Sequence, residues 1–350
     1  MREHDYFLDI ARGIACVLVV VGHISSTPSL IHTWIYSFHM PLFFIISGII
    51  LNTKGSFKDF LLKRIKRLLV PYFLLNILVW LMENIIKITM SFIGLAVFNK
   101  KKAINDLLGV VLGWRLTDYY YILWFVISLF FGLLLTYAIL QIVHDNKVIF
   151  LMGVVLILIS PCVWKIVGGL PYSIDTLPIS AGFILIGNSA NNYIKRTVTE
   201  KSGFKGILSL LINCIVAVSA SRIWGDVDIY NCQIGQVFIF IFTSILGSLA
   251  IILISKEIER NRIIEFLSAN TLAFYAFQNK IVIPICEKVV HFIDKFLDVN
   301  LFYYVEWVFS AVLTIIILAI ISIFINRYIP CAVGKKKDKR IYEKNYCAHN

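Results

Sequence analysis

LDIARGIACVLVVVGH, residues 8–23, is an apolar run that carries two polar side chains of special interest, Arg12 and His23. The run is typical of a membrane-spanning helix, which needs about 20 predominantly apolar residues. Helical geometry places Arg12 and His23 on one face, separated by about 16 Å along the axis. Asp9 lies on the same face and is expected to pair with Arg12. Charged or titratable groups inside a span usually mark a pathway or a reaction site.

Long apolar stretches recur along the 350-residue chain, of which 59% is hydrophobic and only 15% is charged. A soluble domain carries about 25% charged residues, so the composition predicts an all-α, polytopic integral membrane protein. About ten transmembrane helices are expected. They cover residues 10–26, 34–52, 68–88, 121–143, 148–167, 174–194, 205–224, 232–254, 263–284 and 302–326. The sequence has no nucleotide-binding motif and no HExxH, which argues against an ATP-driven pump and a zinc protease.

The net charge of +12 is interpreted as retention of Lys and Arg in cytoplasmic loops, and no nucleic-acid partner is expected. If the N-terminus is inside, most basic residues fall on the inner side. This predicts two cytoplasmic termini, a membrane domain over residues 1–330 and a basic cytoplasmic tail over 331–350. The lysines at 100–102 disagree, because this topology places them outside. None of the seven cysteines forms a CxxC pair, so no metal site is expected.

On this topology Arg12 lies near the cytoplasmic face, and His23 lies toward the outer face. His39, at the start of the second predicted span, is expected at a similar depth to His23. It precedes Met40-Pro41, and proline disfavours a helical conformation at the residue before it, which predicts a helix break.

Ser47-Gly48 follows in the same span. Gly48 allows close approach of another helix, and Ser47 is more often a helix-packing serine than a site residue.

Three other features each have two interpretations. The basic segment KDFLLKRIKRLLVPY, with Lys63, Arg64 and Arg67, is either an anchor for anionic lipid headgroups or a phosphate-recognition surface. The charge run alone favours the anchor.

Asp175, among Gly and Pro residues, either caps a helix or acts in a site by binding a sugar hydroxyl or orienting an imidazole. Trp124 either stacks on a sugar ring or belongs to an interfacial aromatic belt.

The chain resembles the membrane acyltransferase-3 family, particularly its branch of polysaccharide and fucose O-acetylases. The resemblance covers nearly the whole length. It rests on the order and spacing of several segments, each weakly specific. These segments are YFLDIARGIACVLVVVGH, WIYSFHMPLFFIISG, KRIKRLLVPYF, ILWFV, LPYSIDTLPISAGFILIG, SANTLAFYAFQN and INRYIP.

The resemblance implies transfer of an acyl group, usually acetyl, from cytoplasmic acyl-CoA to a carbohydrate at the outer face. It implies that Arg12 and His23 are the essential pair. Arg12 would hold or polarise the CoA-linked end, and His23 would act as general base or carry the acyl group on its ring. The basic segment, with Arg64 and Arg67, would face the CoA phosphates. Gln278 departs from the family, since related chains often have histidine there and glutamine cannot titrate.

The sequence therefore predicts an integral membrane O-acyltransferase of the cell membrane that modifies a surface glycan or its lipid-linked precursor. Acyl-CoA, the glycan, the bilayer and other glycan-assembly proteins are the expected partners, with acetyl-CoA as donor and no bound cofactor. An exporter or flippase of polysaccharide or small solute is the main alternative, because intramembrane charges also fit a proton relay. A structural subunit of a glycan-assembly complex is a third possibility.

Overall fold

The computed structural model describes residues 6–95, 97–114, 123–197, 202–297 and 305–335. Within these ranges the chain forms helices and no strands, with one isolated bridge between Asp228 and Gln233, which confirms the predicted all-α class. The helices are α1 Tyr6–His23, α2 Ser29–Tyr36, α3 His39–Ile49, α4 Phe57–Arg64, α5 Val70–Phe92, α6 Lys100–Leu112, α7 Trp124–Ile142, α8 Asn146–Val167, α9 Leu177–Thr197, α10 Gly203–Trp224, α11 Val237–Glu257, α12 Arg262–Ala269, α13 Thr271–Phe277, α14 Ile283–Leu297 and α15 Glu306–Tyr328. Two π-helical turns, Ile65–Leu69 and Gln278–Val282, join α4 to α5 and α13 to α14.

Eight helical segments in the described part of the chain are long and apolar enough to cross a membrane. They are α1, α2 with α3, α4 with α5, α7, α8, α10, α11 and α15. The other two predicted spans fall on α9 and on the region from α12 to α14. Both are helical, but α9 ends in a polar stretch and the second region is interrupted at Asn270 and by a π-helical turn. The count of ten spans stays a prediction.

Helix α9 lies at the centre of the bundle and contacts α3, α7 and α8. Ile179, Phe183 and Ile184 are completely buried, as expected for a helix that is apolar around most of its circumference. By contrast, α10 and α15 carry exposed large apolar residues such as Leu211 and Ile320. This pattern suits helices whose outer faces meet lipid.

Two glycines set the distance between α3 and α9. A Cβ atom added at Gly48 would lie 2.9 Å from the carbonyl carbon of Ile184 and 2.8 Å from the amide nitrogen of Asn188. A Cβ atom at Gly187 would lie 2.9 Å from the carbonyl carbon of Ile45. Because each glycine lies against the backbone of the other helix, the predicted close approach at Gly48 is confirmed.

The predicted helix break in the second span is present, but three residues before Pro41. Ser37 and Phe38 separate α2 from α3, and Phe38 has φ −148° and ψ −15°. Pro41 falls in the first turn of α3, where its missing N–H costs no hydrogen bond. The break turns His39 into the first residue of α3 and buries its side chain.

The first residues of the predicted basic tail are part of the helical fold. Residues Pro330–Val333 form a 3₁₀ turn that packs against α5 and α15. A Cβ atom added at Gly334 would lie 3.2 Å from the backbone of Arg67, so this segment contacts the basic turn before α5. The rest of the predicted tail, residues 336–350, lies outside the described residues.

Candidate functional site

A cavity of about 390 Å³ lies at the C-terminal end of α1 and brings both predicted histidines together. His23 ends α1, and His39 begins α3 after the break. Trp124, the first residue of α7, also lines the cavity, as does Tyr275 of α13. The two histidines, which were expected at a similar depth, therefore line one cavity.

The hydrogen bonds of the two histidines determine which ring nitrogen is available. His23 Nδ1 lies 2.7 Å from the carbonyl oxygen of Val19, and His39 Nδ1 lies 2.9 Å from that of Ile35. A carbonyl oxygen only accepts hydrogen bonds, so Nδ1 carries the proton in each neutral ring. Nε2 of both rings then has a free lone pair, which is the state that a general base or nucleophile needs.

Tyr36, at the end of α2, lies next to three histidine rings. Its ring centroid lies 6.1 Å from that of His23, 4.9 Å from that of His39 and 4.0 Å from that of His32. The stacked His32 ring is half-buried. Neither Tyr36 nor His32 was predicted as a site residue. The signal that could have identified His32 was its position seven residues before His39.

The loop between α10 and α11 forms the remaining wall of the cavity through residues 227–231. Asp228 shapes this loop: its carboxylate accepts hydrogen bonds from the backbone amide of Tyr230 at 3.0 Å and from Asn231 Nδ2 at 2.6 Å. The Tyr230 ring lies 5.8 Å from that of Trp124, so these two aromatic rings are neighbours at this wall of the cavity. Sequence reasoning missed this loop, whose signal was an aromatic among Asp and Asn residues outside the spans.

Arg12 and Asp9 form the predicted pair one-third of the way along α1. Arg12 Nη1 donates to Asp9 Oδ1 at 3.0 Å, and the two side chains are 27% and 26% exposed. The cation is thus neutralised and partly accessible. Arg12 and His23 share one face of α1, so this face extends from the guanidinium group to the histidine cavity.

A second, larger cleft of about 830 Å³ is lined by cationic side chains from α4, the following π-helical turn and the C-terminal segment. Lys63 and Arg67, two of the residues expected to face the CoA phosphates, line this cleft together with Lys66 and Lys335. The structure places Arg64 differently: its guanidinium carbon lies 4.8 Å from the centroid of the Phe60 ring, and it is not among the lining residues. Among the described residues that line the cleft, Asp59 is the one acidic residue.

Lys335 is held in that cleft by two amide oxygens. Its Nζ donates to Asn326 Oδ1 at 2.8 Å and to Asn270 Oδ1 at 3.0 Å. Partial burial lowers the pKa of the Lys335 ammonium group below its ordinary value of 10.5. Asn270 ends α12, whose Ile264 packs against Gly13 of α1, so α12 connects this cleft to the Arg12 end of α1.

Two predicted site residues lie away from both cavities. Asp175 is buried, and Oδ2 accepts hydrogen bonds from the backbone amides of Gly169 at 2.6 Å and Leu170 at 3.1 Å. These bonds stabilise the turn that leads from α8 to α9. They are not helix-cap bonds, because both amides precede Asp175 in the chain and lie outside the helices. The Ser47 hydroxyl donates to the carbonyl oxygen of Phe43 at 2.8 Å, within its own helix, as a helix-packing serine does.

Comparison with known protein families identified a match over most of the chain. A family model described as an acyltransferase domain, that of the acyltransferase-3 family, matches residues 5–326. The match includes α1, both cavity-lining histidines and the basic turn before α5. No curated protein and no solved structure matched the chain.

Proposed function

Because the chain belongs to the acyltransferase-3 family, we propose that it moves an acetyl group from cytoplasmic acetyl-CoA to a hydroxyl of a cell-surface polysaccharide or its lipid-linked precursor. Family membership supports an acyltransferase, and the apolar helices support a membrane protein. The donor, the acceptor and a location in the cell membrane are parts of the proposal.

One observation carries the proposal: a single face of α1 links a neutralised arginine to a histidine with a free Nε2. The two side chains are separated by about 16 Å along the helix, roughly half of a hydrocarbon core. A donor held near Arg12 and an acceptor held near His23 would approach the same face of α1 from opposite ends. This arrangement suits transfer of a group between compartments.

The histidine end has the groups that ester formation requires. His23 Nε2 takes the proton of the acceptor hydroxyl while the oxygen attacks the thioester carbonyl carbon. Collapse of the tetrahedral adduct breaks the C–S bond. The departing CoA thiolate then takes the proton from Nε2, so the products are the ester, free CoA and neutral His23. His39 makes the same Nδ1 hydrogen bond to a backbone carbonyl and is only 3% exposed, so its Nε2 is placed to accept a hydrogen bond from an acceptor hydroxyl.

The lining of the histidine cavity suits a sugar as the acceptor. Trp124 and Tyr230 present aromatic faces, and Asp228 and Asn231 add polar groups at the same wall. Carbohydrate rings combine apolar C–H faces with hydroxyl groups around their edges, so they match a wall of this mixed character.

The donor end suits a phosphorylated carrier. Lys63, Lys66, Arg67 and Lys335 line one cleft, and Lys and Arg are the usual partners of phosphate oxygens. The position of α12 between this cleft and α1 supports the assignment of the nucleotide end of CoA to this cleft, with its thioester directed toward His23.

The test is acetyl transfer by the full-length protein in lipid nanodiscs. Radiolabelled acetyl-CoA is mixed with surface polysaccharide from which ester groups have been removed, and label in the polysaccharide is counted. His23→Ala is expected to abolish incorporation. His291→Ala is the matched control, because His291 is an exposed histidine on α14, and it should retain wild-type incorporation.

Two results would overturn the proposal. One is wild-type protein that translocates the polysaccharide without ever acetylating it, which would favour the transporter. The other is a folded His23→Ala variant with wild-type incorporation. Recovery of an acetylated His23 by mass spectrometry would replace the general-base step with a covalent one.

A further inference from the structure

Gln278 is a completely buried amide that uses neither of its polar side-chain atoms. It is 0% exposed, and Nε2 and Oε1 both lack a hydrogen-bond partner among the described residues. A buried polar group without a partner destabilises the folded state, so native proteins rarely keep one without a reason. Gln278 is also the first residue of the π-helical turn Gln278–Val282, a feature often found at functional sites.

Gln278 lines a narrow void of about 20 Å³ inside the bundle. The other lining residues are mostly apolar and include Cys16, Val19, Met40 and Tyr275. Met40 and Tyr275 also line the histidine cavity, so the void and the cavity share a wall. Gln278 therefore places an unpaired amide in an apolar space next to the reaction site.

The void lies on the route from Arg12 to His23. Arg12, Cys16, Val19 and His23 are spaced by four, three and four residues, so they form one stripe along α1. Cys16 and Val19, the middle members of the stripe, are the α1 residues that line the void. A molecule that reaches His23 from the Arg12 end along this stripe passes Gln278.

We propose that Gln278 binds an amide group of the pantetheine arm of acyl-CoA. This inference rests on the proposed function. An amide presents one N–H donor group and one C=O acceptor, which the Gln278 side chain matches with Oε1 and Nε2. The methylene groups of the arm match the apolar walls. Binding requires the void to widen, and the flexible side chain of Met40 at its boundary permits such movement.

The test compares two ligands with the full-length protein in nanodiscs. CoA carries the pantetheine arm, and adenosine 3′,5′-bisphosphate has adenine nucleotide phosphates without it. Gln278→Leu is expected to weaken CoA binding by at least about fivefold, because it removes both neutral hydrogen bonds of the amide. Affinity for the bisphosphate should not change. Gln278→Asn keeps an amide but shortens its reach, and an intermediate loss of CoA affinity is expected.

Ser310→Ala is the matched control, because Ser310 is also completely buried, its hydroxyl has no partner in the described part of the chain, and it does not line the void. It should bind both ligands like the wild type. Gln278→Leu should keep or raise the thermal midpoint of the ligand-free protein, since it removes unpaired buried polar groups.

A void of this size also accommodates one water molecule, and an amide that only binds water would leave CoA affinity unchanged. Wild-type CoA affinity in a folded Gln278→Leu variant, with acetyl transfer intact in the wild type, would overturn this inference alone. Failure of the wild type to bind CoA would overturn the proposed function as well.

Discussion

Substitution of Gly48 by alanine is expected to damage both stability and acyl transfer, because Gly48 sets the separation of α3 from α9. The added Cβ would lie 2.8 Å from the amide nitrogen of Asn188 and 2.9 Å from the carbonyl carbon of Ile184. Non-bonded carbon atoms normally stay about 3.5–4.0 Å apart, so the helices must separate by roughly 1 Å. The obstacles are backbone atoms, which no side-chain rotation can move away.

The expected stability loss is about 1–3 kcal/mol, the usual cost of overpacking a close-packed interior. Helix α3 begins with His39, so the same displacement moves one wall of the histidine cavity. A misplacement of about 1 Å costs on the order of 100-fold in rate when reacting groups must be aligned. Thermal unfolding of detergent-purified protein measures the first effect, and acetyl incorporation measures the second.

Ser47→Ala is the neighbouring control. The Ser47 hydroxyl bonds only within its own helix in the contacts described, so its loss should leave the helix crossing unchanged. If Gly48→Ala has the thermal midpoint and the activity of Ser47→Ala, the close crossing of α3 and α9 is not present in the folded protein. Gly187→Ala, the reciprocal change on α9, should reproduce the defect.

Three further outcomes are expected. Asp175→Ala removes the acceptor of two backbone N–H groups and should lower stability by about 1–3 kcal/mol, measured by thermal unfolding, while the KM for the acceptor stays unchanged. Trp124→Ala should raise the KM for the acceptor by up to about tenfold without changing CoA affinity, because aromatic contacts contribute about 0.5–1.5 kcal/mol. CoA affinity, titrated at increasing pH, should fall as Lys335 loses its proton. Burial lowers the pKa of Lys335, so this loss of CoA affinity should begin at a lower pH than the deprotonation of an exposed lysine would cause. Lys335→Arg should abolish this early loss of affinity, because arginine stays protonated.

Local patterns in the sequence were sufficient to predict several features of the site. The eleven-residue spacing of Arg12 and His23 predicts a shared face, and the i, i+3 spacing of Asp9 and Arg12 predicts their ion pair. The Pro41 signal predicts a helix break, although the break occurs at Ser37 and Phe38. These predictions depend on the geometry of one helix or one turn.

Features that depend on distant segments were not predictable in the same way. Asp228 and Tyr230 reach the cavity because the loop between α10 and α11 folds over the end of α1, and no local pattern encodes that placement. Lys335 joins the basic cleft because Asn270 and Asn326, from two other parts of the chain, hold its ammonium group. Isolation of the Gln278 amide depends on apolar neighbours from several helices.

The most direct test of the central idea, transfer between two compartments, uses sealed proteoliposomes in which all molecules have one orientation. Labelled acetyl-CoA is supplied on the side of the basic cleft, and the acceptor polysaccharide is supplied on the side of the histidine cavity. Acetylated polysaccharide is expected in this arrangement, and none is expected when both substrates are confined to the cleft side. Product formed only when donor and acceptor share one compartment would contradict transfer along α1 from Arg12 to His23.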